Sequence, residues 1–524
     1  MTDKKESEKK MEFHETFDTE FENWALYNCI DGAVTMKCWN AIKEEAYDEP
    51  FGWAYKTTIE LLQPLIYMMT RGVKIDLEKL EETKKHVEAD IRDRKEKLAG
   101  YTQKHGVTEL NTASPKQCIA YFYGTLGNTP YLNNGRPTTD DKALARLVRK
   151  GIPEAKLVQE IRGLDKLRGT YLDVVLDDDK RLRCSYNARG TRNGRLSSSQ
   201  TIFGTGMNLQ NLHPAFKGFL IADENHMMFE IDKAQAEWVV TAYACGDANM
   251  IAALESGEDV HAHTAHLITG APIELINKEK KILGHETDQD RIFQLRMEQI
   301  PELFEEASFV PRSMACRQAG KKSNHGLNYA MGFKRFALEN EFPEKESRQI
   351  VDGYRGAYPM LPIWWDTLER KLKKDRMLTN CFGRTRRFLA TLDHNTLKDA
   401  IAYIPQSTVV DLVNGAMIKI YNDRSDIMMP VDMLMQTHDS ITIQLPVGNW
   451  KNMALALLKV KEYMNPTLDY NGRKFQIGTD IKWGLNAGEQ DANRNPYGMR
   501  EMAFLSNPDQ LAELLEAEYG KATR

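Results

Sequence analysis

Asp232 and Asp439 are the residues around which chemistry can be built. The first closes a short apolar run, MMFEID, after which a helical pattern sets in at about Ala234. The second sits in THDS, at the bend of a hairpin between two β-like runs. Two carboxylates from neighbouring strands are hard oxygen donors. They suit a pair of Mg2+ ions about 3.5–4 Å apart, one activating an attacking oxygen and the other steadying a leaving group. Between them lies RQAGKKSNHGLNYAMG, whose spacing fits a helix. Residues four apart drift about 40° beyond a full turn, so Arg317, Lys321, His325 and Tyr329 form one stripe about 18 Å long. Two cations followed by two rings suit a triphosphate at one end and a base or sugar at the other.

Such groups need a large scaffold, and 524 residues with 42% hydrophobic content provide one of several lobes. The polar start MTDKKESEKK and the lack of an apolar run near 20 residues point to a soluble, cytoplasmic chain with no membrane span. Seven cysteines without a CxxC pair argue against a zinc site or a disulfide framework and read as reduced thiols, mostly buried. His261, His263 and His266 lack a partnering Cys or acid at ligand spacing, so they do not read as zinc ligands. The net charge of −5 is unevenly spread: six Lys or Arg and no acid fall between Arg312 and Arg335, and a second basic stretch runs from Arg370 to Arg387. Helical spacing predicts a helix over Trp24–Ile42, then a charged helix pair from Thr57 to about Gly100 turning at RGVKID, and a short helix PDQLAELLEAEYGK near the end. Asp177, Asp178 and Asp179 read as an exposed turn. The polar stretch 271–311 reads as an insertion with no assignable chemistry.

The motifs resemble those of family A (polymerase I-like) DNA polymerases. DKAQAE resembles the family's first polymerase motif, RQAGKKSNHGLNYAMG its nucleotide-binding helix, and THDS its last motif, in the family's order. NGRLSSS (193–199), NLQN (208–211), DVHAHTA from Asp259 and IPQSTVVDLVNGAM from Ile404 also match. The resemblance implies an α/β (α+β) right-hand fold. Its parts are an exonuclease-like remnant and tail at 1–54, a thumb at 55–175, a palm at 176–245 and 401–487, fingers at 246–400 and a C-terminal extension at 488–524. It implies addition of dNTPs to a primed DNA template with two Mg2+ ions, for which Mn2+ can substitute. Asp232, Asp439 and the Lys233 backbone carbonyl would hold the metals. Arg317, Lys321, His325, Tyr329, Gln235 and His261 would meet the nucleotide, with Lys321 also the proton donor to pyrophosphate. Glu237 would crowd the ribose 2′ position, and Arg195, Asn208, Gln210, Gln406 and His438 would contact primer and template.

Four positions depart from the family pattern. Ser440 stands where glutamate is usual, His325 where Phe or Tyr is usual, and Lys398 and Val239 where arginines are expected. Tyr27 and Asp31 resemble the last helix of the family's 3′–5′ exonuclease, whereas Asp18-Thr19-Glu20 lies too close to them to be the nuclease's opening motif. The expectation is a polymerase, of phage type, without proofreading, working with separate exonuclease, helicase or primase subunits in a bacterial or infected-cell cytoplasm. Two other readings stay open: a single-subunit RNA polymerase, which often carries HDS, and a catalytically silent DNA-binding subunit.

Overall fold

The computed structural model describes residues 20–522, apart from 49, 134, 285, 287, 313 and 341. Its organising element is a five-stranded sheet ordered Asp432–Thr437, Ser440–Pro446, His226–Lys233, Thr479–Gly484 and Arg500–Glu501, and every pairing is antiparallel. The inner strands are buried through Met227–Phe229 and Ile441–Leu445, with Thr442 and Gln444 the polar exceptions, because helices cover the sheet. One of these, His394–Asn422, is buried on nearly all sides (Ile401, Tyr403, Val409, Val413, Met417). It packs against the helices Ala236–Cys245, Gly52–Arg71 and Trp450–Met464, and its buried polar groups find partners, as Asp411 does in Arg384.

The expected helix pair is present as Gly52–Arg71 and Leu77–Thr102, but RGVKID is more than a turn. Val73–Ile75 is a strand, paired on one side with Arg181–Leu182 and on the other with Leu220–Ile221. Asp76 then caps the second helix by accepting the Lys79 N–H. That helix packs on Pro153–Leu167 around a separate core that includes Leu98, Phe122, Leu147 and Ile161. Asp177 and Asp179 are not merely solvated, since Arg183 pairs with both at 2.8 and 2.6 Å.

Near the N-terminus, the helix Glu20–Tyr47 spans the segment expected over Trp24–Ile42 and carries Tyr27 and Asp31, while Asp18 and Thr19 lie outside the described residues. It folds back on Gly52–Arg71 through Trp39, stacked on Tyr55 at 5.5 Å. Cys29 and Cys38 are exposed on it and Cys381 is half-buried, while Cys118, Cys184, Cys245 and Cys316 are buried, in line with the expectation that most of the seven are. The final helix, Pro508–Ala522, packs on Trp450–Met464. Stretch 271–311 folds into helices Ile273–Leu283, Gln289–Gln299 and Glu302–Glu306 around Ile276, Ile300 and Leu303. Among the described residues, no helix is long and apolar enough to cross a membrane.

Candidate active site

Strand register brings the two aspartates to one end of the sheet. Asp232, next to last in its strand, is opposite Ser440, and Asp439 immediately precedes Ser440 in the hairpin turn. His438 takes φ +54° there, the left-handed conformation such a tight turn demands. Burial, then the neighbouring charges of Asp439 and Glu230, push the Asp232 carboxyl up to about 7. Burial and Glu237 raise that of Asp439. On its other side Asp232 faces Asp480 of Thr479–Gly484, a carboxylate that sequence reading missed. Directly opposed residues share a sheet face, which only the register could reveal. Among the described residues, no third His, Cys, Asp or Glu joins the pair in a metal-holding group.

The next side chain points the other way. Lys233 is buried, and its ammonium donates to the carbonyls of Met464 and Ile477 at 2.9 and 2.5 Å, to Asn465 Oδ1 at 2.8 Å and to Thr479 Oγ1 at 2.7 Å. Burial lowers its pKa to about 7. Sequence reading assigned Lys233 only a backbone role, but its side chain ties the end of the Asp232 strand to the loop after Trp450–Met464.

Gln235, left-handed at φ +51°, starts the helix Ala236–Cys245, and Glu237 lies in its first turn. Its carboxylate accepts from Arg195 Nη2 and from the Tyr329 hydroxyl. Burial, then Glu237, raises the Tyr329 phenol far above its ordinary range. Gln406 joins through Asn193, whose Nδ2 donates to Gln406 Oε1 at 2.7 Å while Arg386 holds Asn193 Oδ1 at 2.7 Å. Asn208 and Gln210 belong to an adjoining chain of contacts. Asn208 Oδ1 accepts from Ser198, Gln210 Nε2 donates to Gln436 Oε1 at 2.8 Å, and Gln436 Nε2 donates to the His438 carbonyl at 2.6 Å.

The helix Cys316–Gly326 carries Arg317, Lys321 and His325, but the continuous stripe expected from spacing breaks before its last member. Residues Leu327–Tyr329 form a tighter 3-10 turn that takes Tyr329 to Glu237. Arg317 Nε donates to Asp259 Oδ2 at 2.6 Å. Asp259 also caps the helix Val260–Thr269. Burial opposes its ionisation, but Arg317 more than offsets this and holds the carboxyl below its usual range. His261 is buried and its pKa falls to about 4, through burial and then Arg317, so the ring is neutral near pH 7. Asn324 Oδ1 accepts from the Trp238 indole at 3.0 Å, which turns its Nδ2 toward His261 Nδ1 at 3.1 Å and leaves the imidazole proton on Nε2. His263 and His266 go elsewhere, to Glu258 and the Ala271 carbonyl. The two helices touch at Gly320, where a Cβ would come within 2.2 Å of the His261 carbonyl. Lys321 is exposed.

Residues 77–286 and 289–489 match the description DNA polymerase family A. The chain belongs to this family. A relative named "DNA polymerase I, thermostable" from Thermus thermophilus is 25% identical over 466 residues, 84% of this chain and 48% of its own length. "DNA polymerase I" of Treponema pallidum is 28% identical over 361 residues, 65% of this chain and 31% of its own length. The family A chain thus spans about half the length of the Thermus relative. The solved structure titled "POL domain of Pol1 from M. smegmatis complex with DNA primer-template and dNTP" shares its fold, with a TM-score of 0.67 at 22% identity over 82% of this chain and 69% of that one.

The Asp232 proton couples the fold to pH. Its raised pKa means the folded family A chain holds this proton more tightly than the unfolded chain, whose aspartate titrates near ~3.9. The resulting stability is complete below about pH 4 and is lost as pH rises through about 7. Without divalent ions, Asp232→Asn is expected to stabilise the fold at about pH 8 by roughly 1–4 kcal/mol and to change little at about pH 4.5. Thermal melts at both pH values decide this; an equal gap at both would contradict it.

Proposed function

We propose that this chain is a template-directed DNA polymerase that adds deoxynucleotides to a primer 3′ end and releases pyrophosphate. The observation that carries the reading is the convergence at one sheet end. Asp232 pairs with Ser440 there and Asp439 sits in the turn just before it, beside a Glu237 carboxylate held by Arg195 and Tyr329, and Glu237 also acts electrostatically on His325 of the helix bearing Arg317 and Lys321. The donor set fits two Mg2+ ions, or Mn2+ in their place. It offers hard carboxylate oxygens whose charges repel each other and are stranded by burial, so a divalent cation relieves both costs. When bound, such ions activate the primer hydroxyl and stabilise the leaving pyrophosphate. Asp232, Asp439 and the Lys233 carbonyl would hold them, with Ser440 supplying no third carboxylate.

The protein's own groups divide the remaining work. Arg317 and Lys321 neutralise triphosphate oxygens, and Lys321 hands a proton to the departing pyrophosphate. Neutral His261 offers an Nε2–H donor beside Arg317. Gln235 and His325 face the nucleotide. Arg195, Asn208, Gln210, Gln406 and His438 line the primer and template side, where minor-groove acceptors common to all pairs permit checking without sequence preference. Residues 55–175 act as the thumb, 176–245 with 401–487 as the palm, and 246–400 as the fingers. The setting is replication in the cytoplasm of a bacterial or infected cell.

Primer extension on a primed DNA template with Mg2+ tests this, with dNTPs and NTPs in parallel. Extension with dNTPs supports the reading. Preferential use of NTPs would favour the RNA polymerase alternative that THDS suggests, and no extension would favour a silent DNA-binding subunit. Because Glu237 is tethered on both sides, it forms a fixed obstacle at the sugar. Glu237→Ala is expected to cut discrimination against NTPs by about tenfold or more, as loss of a steric and polar filter does. The ratio of kcat/KM for dATP and ATP measures it, and an unchanged ratio would remove Glu237 from sugar selection.

A further inference from the structure

Stretch 271–311 looks in sequence like a polar insertion, yet two of its fully buried side chains form an ion pair. Glu279 and Arg296 are 0% and 1% exposed and approach to 2.6 Å. Neither spends its remaining capacity on the insertion's own helices. Arg296 Nη1 donates to the Pro311 carbonyl at 2.7 Å and Nη2 to the Met314 carbonyl at 2.8 Å. Glu279 Oε2 accepts the backbone N–H of Cys316 at 2.8 Å. All three contacts fall on the segment that leads into Cys316–Gly326.

That helix needs outside help. Its N-cap residue is Ala315, which has no side-chain acceptor to offer the first-turn amides. Glu279, 37 residues earlier, supplies the missing acceptor and places a negative charge at the positive end of the helix. Arg317 comes next in the chain. The adjacent insertion residue, Lys280, lies 3.7 Å from Asp259 Oδ2, the atom that Arg317 holds. The insertion therefore reaches both the backbone before Arg317 and its counter-ion. A buried pair is a costly way to hold an insertion together, because apolar residues of similar volume do so as well or better. Its directional bonds suit fixing a helix start.

We propose that residues 271–311 are a positioning element for the incoming triphosphate, in which Glu279, oriented by Arg296, caps the Cys316–Gly326 helix and so sets the aim of Arg317 and Lys321. This rests on the reading above that these two cations meet the triphosphate.

The test compares Glu279→Gln, which keeps a neutral acceptor, with the charge-free double variant Glu279→Leu/Arg296→Met, which leaves no charge stranded. The measurements are KM for dNTPs, Kd for primed DNA, Tm, and hydrogen exchange over residues 316–318. The double variant is expected to raise KM by about tenfold, the loss of one hydrogen bond to a charged acceptor. It should exchange faster at 316–318 and keep Kd for DNA within about twofold, with a Tm lowered by only a few degrees for the unpaired backbone groups, while Glu279→Gln falls between it and the wild type. A folded double variant with unchanged KM and exchange overturns the proposal, and so do KM and DNA Kd rising together in step with a falling Tm. If the wild type itself does not extend primers, the polymerase reading fails. Exchange at 316–318 then still judges the cap, and unchanged protection in the folded double variant rejects it.

Discussion

Asp439→Asn is expected to lower single-nucleotide incorporation on primed DNA by about three orders of magnitude or more while leaving template affinity nearly intact. Asn keeps the shape of the hairpin turn but loses the negative charge. The residues named for primer and template contact, from Arg195 to Gln406, are anchored by their own hydrogen bonds and need nothing from Asp439 to stay in place. Asp232→Asn should behave alike, because Asp232 is set by strand pairing with Ser440 and Asp480 rather than by its charge. Rapid-quench incorporation alongside DNA binding checks both. Incorporation within about tenfold of wild type in either variant would mean that the pair is not the catalytic centre.

The second large effect belongs to Lys321. It lies one turn beyond Arg317 on the same helix and, unlike Arg317, it is exposed. A positioned proton donor contributes about 10²–10⁴-fold, so Lys321→Ala should reduce the maximal incorporation rate by at least about a hundredfold. Arg317→Ala should act more on KM, since on the proposed function Arg317 would supply charge and grip without a transferable proton. A Lys321→Arg variant separates charge from proton donation: recovery of KM without recovery of kcat is the expected outcome. Full recovery of both would show that charge alone is needed.

Much of this site is legible in the chain itself. A short apolar strand ending in Asp232, a hairpin bend at Asp439 and a helix bearing Arg317 and Lys321 are local patterns, and local patterns survive folding. Sequence reading failed where partners lie far apart. Nothing near Lys233 announces that its ammonium will find acceptors at residues 464–479. Asp480 becomes a neighbour of Asp232 only through strand order. Tyr329 leaves the predicted stripe because the helix tightens after Gly326, a change that a 3.6-residue period cannot register. Asp259 could have been found, because an Asp opening the helical pattern VHAHTA is a recognisable cap. Glu279 could not, since its worth depends on an alanine 36 residues later that has nothing to cap with.

The close contact at Gly320 has a mechanical consequence. With no room for even a methyl group between Cys316–Gly326 and the His261 carbonyl, the two helices are locked against sliding. On the proposed function, Asp259, His261, Arg317 and Lys321 would therefore travel as a single block in a closure over a nucleotide, with their mutual distances kept. Bending must be taken up at its margins, where the chain already adopts left-handed backbone at Gly270 (φ +73°) and Ala330 (φ +56°). On the function proposed above, the charges that would face phosphate are thus assembled before substrate arrives, and closure would change their address, not their arrangement.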